Sequence, residues 1–157
     1  NKLFRSMLTT ISKTDPGNAI IIQEKIDGVE YGLDIFNDLE GKNLSVYVKE
    51  KLAMRAGETD KAALRNNQDI NNIGKRIGGN LQHISNLDCD IFEKNGEYFL
   101  LEMNPRFGGG YPFSQMSDAK FPAAIYALLM DKPLKDEWFI KNFDQVYAKC
   151  DILIPVE

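Results

Sequence analysis

Glu102, Asn104 and Arg106 set a carboxylate, an amide and a guanidinium at alternate positions, at the end of the apolar run Tyr98–Leu101. Side chains of a strand alternate between faces, so Glu102 and Asn104 project together from one side. Hard cations such as Mg²⁺ take oxygen ligands and usually share them with phosphates. A carboxylate beside an amide oxygen suits that chemistry.

Asp90 joins them only if the turn between the two runs has the right length. Asn95-Gly96, flanked by apolar residues on both sides, signals a β-hairpin. A two-residue loop would set Asp90 opposite Leu101, facing away from Glu102. A three-residue loop, Lys94-Asn95-Gly96, sets it opposite Leu100 and on the Glu102 face. Gly96 suits the left-handed third place of such a loop. The expectation is therefore the longer loop, with Asp90, Glu102 and Asn104 as one set of oxygen donors. The alternative is an acidic hairpin edge with each charge solvated.

Several elements must position this hairpin. Leu3, Phe4, Met7, Leu8 and Ile11 recur at helical spacing in Lys2–Ser12. Asp15-Pro16-Gly17-Asn18 reads as a turn. Ala19–Ile26 reads as a buried strand rich in β-branched residues. Beyond Asp27-Gly28 the chain resumes as a strand over Glu30–Phe36, and a third follows over Leu44–Leu52. Arg55–Thr59 reads as a loop. Gln68–Ile84 is expected to be a helix with Ile70, Ile73, Ile77, Leu81 and Ile84 as its apolar stripe. Its glycines Gly74, Gly78 and Gly79 are expected to pack closely against a sheet. His83, the single histidine, reads as structural. Phe121–Met130 reads as a helix opened by Pro122, Trp138–Phe143 as a helical turn, and Val146–Pro155 as a last strand. Strands in hairpins with helices beside them indicate α+β: one antiparallel sheet with helices on one face.

The pattern Asp90, eleven residues, then Glu-Met-Asn-Pro-Arg from Glu102 to Arg106, with Asn-Gly in the hairpin, resembles the metal-binding end of the ATP-grasp superfamily. The likeness runs from about Ile20 to Met130 and is strongest to biotin carboxylase and the large subunit of carbamoyl phosphate synthase. It implies that Asp90, in place of a frequent glutamate, holds Mg²⁺ (or Mn²⁺) bridging the ATP phosphates, together with Glu102 and Asn104. It implies that Arg106 meets the acyl phosphate. Gln23-Glu24-Lys25-Ile26 resembles the adenine-binding strand, where the Lys25 carbonyl and Ile26 amide after Glu24 would meet the base and Glu30 the ribose. Lys51 and Arg55 are candidate cations for phosphate or an acidic substrate. Lys49 reads equally well as part of a solvated basic edge. Gly108-Gly109-Gly110 lacks a following Gly-Lys-Ser/Thr and reads as a substrate-side loop.

The fold the resemblance implies is the C-terminal ATP-grasp subdomain. The implied activity is an ATP-dependent ligase joining a small carboxylate or bicarbonate to an amine through an acyl phosphate. An ATP-grasp kinase and a non-catalytic nucleotide-binding module are the alternatives. The lysines and glycine-rich flap of the family's N-terminal subdomain are not found before Ile20. A chain starting at Asn1 is therefore expected to be one part of a longer enzyme, inactive alone.

Composition narrows the class. The 157 residues carry a net charge of −4, with 43% hydrophobic and 27% charged residues. That is ordinary for a globular domain with a real core and argues against a general nucleic-acid surface. No apolar run approaches the ~20 residues of a membrane span. No leader pattern is read. Cys89 and Cys150, isolated in apolar surroundings, are expected as buried free thiols in a reducing cytoplasm. The oligomeric state is left open.

Overall fold

The computed structural model describes residues 23–151. The expected N-terminal helix, the turn at Asp15–Asn18 and the first half of the Ala19–Ile26 strand lie outside that range. Six strands form one sheet: β1 (Val29–Asn37), β2 (Asn43–Arg55), β3 (Glu58–Leu64), β4 (Ser85–Lys94), β5 (Glu97–Asn104) and β6 (Val146–Ala148). Their spatial order is β5-β4-β1-β2-β3-β6, with every neighbouring pair antiparallel. Helix α1 (Gln68–Leu81) follows β3, and α2 (Tyr111–Met116) and α3 (Phe121–Leu129) follow β5. The class is α+β with an antiparallel sheet.

The helices occupy both faces of the sheet instead of the one expected. Leu33, Ile35, Val46, Val48, Leu87, Cys89 and Ile91 alternate onto one face and pack with Ile70 of α1. Phe36, Tyr47 and Leu64 point the other way and pack with Tyr111, Phe121 and Ala124 of α2 and α3. The central strands β1 and β2 thus have two buried stripes, because apolar residues of both parities are present there.

Helix α1 sits close because Gly74 and Gly78 carry no side chain. A Cβ on Gly74 would lie 2.6 Å from Val46 Cγ1, and one on Gly78 would lie 2.9 Å from Asn37 Oδ1. Gly79 faces open space, so only two of the three glycines are packing sites. Asn67 caps the helix, its Oδ1 accepting from the Ile70 amide at 3.1 Å. The helix ends at Leu81, so Leu81 and Ile84 of the expected stripe are exposed and Ile77 is only half-buried. His83 is structural: its ring nitrogens face the Ile35 carbonyl at 3.0 Å and Asn37 Nδ2 at 3.4 Å.

Other local expectations change. Arg55–Thr59 is not a loop but a tight turn, Ala56-Gly57, joining β2 to an unforeseen strand β3. The described part of the expected adenine strand, Gln23–Ile26, is irregular, with Gln23, Glu24 and Lys25 exposed. Gly28 passes so close to β4 that a Cβ would lie 2.3 Å from the Glu93 carbonyl oxygen, and the chain bends there into β1. A 3₁₀ turn at Asp136–Trp138 replaces the helical turn expected at Trp138–Phe143. Cys89 is buried as a free thiol, but Cys150 is free and exposed, because the last strand ends at Ala148. No helix among the described residues is long and apolar enough to cross a membrane.

Candidate functional site

The hairpin β4–β5 turns through two residues, not three. Lys94 pairs with Glu97, and Asn95 and Gly96 both take positive φ (56° and 80°), the backbone that Asn-Gly favours in a two-residue turn. The expected three-residue loop is therefore wrong. Asp90 nevertheless pairs with Glu102, because Leu101 is an extra residue in β5: the register passes from Ile91–Leu100 directly to Asp90–Glu102. A bulge re-aims the strand beyond it. Here it moves Glu102 and Asn104 onto the face that Asp90 and Asp88 already occupy.

That face carries one apolar half, covered by α2 and α3, and one polar half that opens as a cleft of about 290 Å³. Lys49, Lys51, Asp88, Asp90, Glu102 and Arg106 line it. The β2–β3 turn and Gly109-Gly110 form its rim. Asn104 stands just outside this lining and donates to Glu102 Oε1 at 3.1 Å.

Gly32 lies in the floor, where a Cβ would press on Lys51 Cε at 3.2 Å and touch Lys49 Cε at 3.5 Å. Its bare backbone lets both lysine stems cross β1. Lys51 Nζ reaches Glu30 Oε1 at 2.6 Å and Asp90 Oδ2 at 2.7 Å. Burial alone would push this ammonium down, but the two carboxylates outweigh it and hold its pKa above the ordinary lysine value. Lys49 is buried and paired with Asp34, which also accepts from Ser114 Oγ at 2.5 Å and from Asn86 Nδ2 at 3.3 Å. The same Asn86 amide donates to the Arg106 carbonyl at 3.2 Å. Asp34 thus ties the cleft floor to α2 and to the strand exit carrying Arg106.

Asp88 faces the Arg106 guanidinium, Nη1 to Oδ2 at 3.2 Å. Its pKa is raised, first by burial and then by the Asp34 and Asp90 charges, against the pull of Lys49 and Arg106. Gly108 lies against it: a Cβ there would fall 2.2 Å from the Asp88 carboxylate, so only glycine allows the loop to close over it.

Of the residues singled out in the sequence, the fold gathers Glu30, Lys51, Asp90, Glu102, Asn104 and Arg106 around one cleft. Arg55 is not among them. It is exposed, held by Asp60 at 2.8 Å and Asp151 at 2.6 Å. Glu24 and Lys25 are exposed and Ile26 half-buried in irregular chain before β1. Asp34 and Asp88 were not foreseen as site residues, and Lys49, evenly balanced in the sequence against a solvated edge, is buried and lines the cleft. For Asp88 the signal was present, since Asp88-Cys89-Asp90 has the period of two that places both acids on one face.

Among the described residues no three Asp, Glu, His or Cys side chains converge as a ready-made metal site. The donor set is two acids and an amide, which suits a hard cation that completes its shell with phosphate oxygens and water. When ionised, the carboxylates of Glu30, Asp34, Asp88, Asp90 and Glu102 exceed the three cations Lys49, Lys51 and Arg106 by two charges. A divalent cation fits that imbalance.

A sequence profile of the family described as "ATP-grasp in the biosynthetic pathway with Ter operon" matches residues 17–148. The chain belongs to the ATP-grasp family. As an ATP-grasp domain it is similar in fold to the biotin carboxylase domain of a thermophilic 2-oxoglutarate carboxylase bound to bicarbonate, at 11% identity and TM-score 0.62. That likeness covers 92% of this chain and 35% of the other. Two pyruvate carboxylase structures from Rhizobium etli, one a complete multifunctional enzyme and one with the allosteric activator acetyl coenzyme A, match at 12% and 10% identity, each with TM-score 0.61. They cover 94% and 92% of this ATP-grasp domain, which spans 14% and 17% of their own lengths. No curated protein sequence matches.

Proposed function

We propose that this ATP-grasp domain binds Mg-ATP in the cleft and serves a ligase that activates a small carboxylate or bicarbonate as an acyl phosphate for capture by an amine. The observation that carries this reading is the meeting of Asp90, Glu102 and Asn104 with Lys49, Lys51 and Arg106 on one sheet face. Phosphoryl transfer is largely positioning and charge neutralisation, so it calls for such a set and for no nucleophilic side chain.

Asp90, Glu102 and Asn104 would hold Mg²⁺, or Mn²⁺, which supplies charge neutralisation at the phosphates. Lys51, shared by Glu30 and Asp90 at 2.6 and 2.7 Å, would be the cation that meets a phosphate oxygen. Glu30 would meet the ribose hydroxyls, and the Lys25 carbonyl and Ile26 amide lie just upstream for the adenine edge. Arg106 holds the anionic acid by its two-pronged guanidinium. An oxygen of that acid attacks the γ-phosphorus and the bond to the ADP oxygen breaks. The amine then attacks the acyl carbon, phosphate leaves, and the amine proton passes to solvent. Arg55 has no part in this scheme. The buried Cys89 thiol suits a reducing compartment such as the cytoplasm.

The test is ADP release by the full-length protein with Mg-ATP over a panel of acids and amines, with hydroxylamine to trap the acyl phosphate as a hydroxamate. Hydroxamate formed only with a particular acid supports the ligase. A stable phosphate ester instead identifies a kinase, and nucleotide binding without ADP release identifies a non-catalytic module.

A further inference from the structure

Beyond the end of β3, the edge of β2 is taken up by the chain turning into α1. The Arg65 amide donates to the Val48 carbonyl at 2.8 Å, and Asn71 Nδ2 to the Val46 carbonyl at 3.2 Å. A second cavity of about 220 Å³ opens there, separate from the ATP cleft. Its polar lining is three cations and four side-chain amides, with no carboxylate. In a chain of net charge −4 such a wall is not what average composition provides.

The three cations are not equivalent. Arg65 is already compensated by Glu50 at 2.7 Å and Asp144 at 3.2 Å. Lys75, from α1, and Lys141, from the segment after the 3₁₀ turn, have no carboxylate partner among the described residues. Lys141 is half-buried, with its ammonium 5.3 Å from the centre of the Tyr47 ring. Burial, and then the Lys75 charge, hold its pKa below the ordinary lysine value. Two like charges sharing a partly dry cavity are unfavourable without a counter-ion, and an anion between them removes that cost. Asn71 uses one amide hydrogen on Val46 and has a second to give.

We propose that this cavity binds a phosphoryl group, as inorganic phosphate or as the phosphate of a small metabolite. Two uncompensated lysines match a dianion, and amide hydrogens supply directional donors to tetrahedral oxygens. A cavity of about 220 Å³ has room for a phosphoryl group with a small organic substituent. The site is independent of the ligase reading and can be tested without any turnover.

The experiment is an amide NMR titration of the protein at constant ionic strength, with inorganic phosphate, glycerol phosphate and acetate in separate arms. Saturable shifts at Asn71, Lys75 and Lys141 are expected with the phosphates. Tighter binding of glycerol phosphate assigns a metabolite, and tighter binding of inorganic phosphate assigns the free ion. Lys141→Met keeps the apolar stem over Tyr47 and should weaken phosphate about tenfold or more, as should Lys75→Met. Arg76→Met is the control, since Arg76 lies on the same helix but lines a different groove with Ile73 and Ile77. If Lys141→Met does not fold, Lys75→Met, an exposed position, carries the comparison. The proposal is overturned by unsaturable shifts, by shifts confined to the ATP cleft, by unchanged affinity in the lysine variants, or by acetate binding as tightly as phosphate.

Discussion

At the scale of single residues the decisive pair is Asp34 with Lys49. Two charges out of water are costly, and removing one partner strands the other. Asp34→Asn should therefore lower stability by ~3–5 kcal/mol, measured by urea unfolding. Replacing both together, Asp34→Leu with Lys49→Met, should recover much of that loss while ADP release stays low, because the cleft floor has lost its cation. A cost below ~1 kcal/mol for the single change would mean that Lys49 is solvated after all. This pair was not legible in the sequence. A lysine alternating with apolar residues on a strand looks solvated, and only the pairing of β1 with β2 brings Asp34 to it. The acids were more legible, because the spacing of Glu102 and Asn104 needs nothing beyond strand alternation.

At the scale of elements, the glycines of α1 separate propensity from packing. Gly74→Ala gains helix propensity but drives a methyl to 2.6 Å from Val46 Cγ1. Net destabilisation of ~1–3 kcal/mol is expected, as for other overpacked cores. Gly79→Ala meets nothing within 4 Å and should stabilise by up to ~1 kcal/mol. Thermal or urea midpoints that moved the same way for both would show that α1 does not seat on Val46. The hairpin offers a second test. Deleting Leu101 removes the bulge yet leaves Glu102 directly opposite Asp90 on the same face. Nucleotide binding by calorimetry should therefore survive the deletion, and its loss would show that the bulge itself shapes the cleft. Most of the strands and α1 were readable from periodicity. Strand β3 was not, because Ala62 and Ala63 carry little apolar signal and Ala56-Gly57 resembles a loop. The bulge was unreadable for a related reason: its extra residue is an ordinary leucine in an unbroken apolar run.

At the scale of the whole molecule, two strands supply both cores at once. Residues of β1 and β2 alternate between the α1 side and the α2–α3 side, so neither layer can be lost without exposing the back of the other. Unfolding should be a single transition. Trp138 fluorescence, which reports the Phe121 cluster, should change at the same denaturant concentration as amide protection in α1. An α1 that melts while Trp138 stays buried would show two separable units. The α+β class was legible because hairpin strands announce antiparallel pairing. Coverage of both faces was not, since it depends on where the chain after Gly110 returns, and Gly108 against Asp88 sets that path through a contact far apart in sequence.

The extra residue at Leu101 has a consequence for how this hairpin can vary. Strand facing is a matter of parity, and a turn and a bulge each contribute one count to it. A relative with a longer turn and no bulge would present the same acids at the same place, having moved its insertion a few positions along the chain. Insertions and deletions here should therefore keep the acids facing one another when they fall in such compensating pairs, and also when the bulge residue alone is lost. An ungapped alignment of such a relative would set both acids in register and still misplace every side chain between the turn and the bulge.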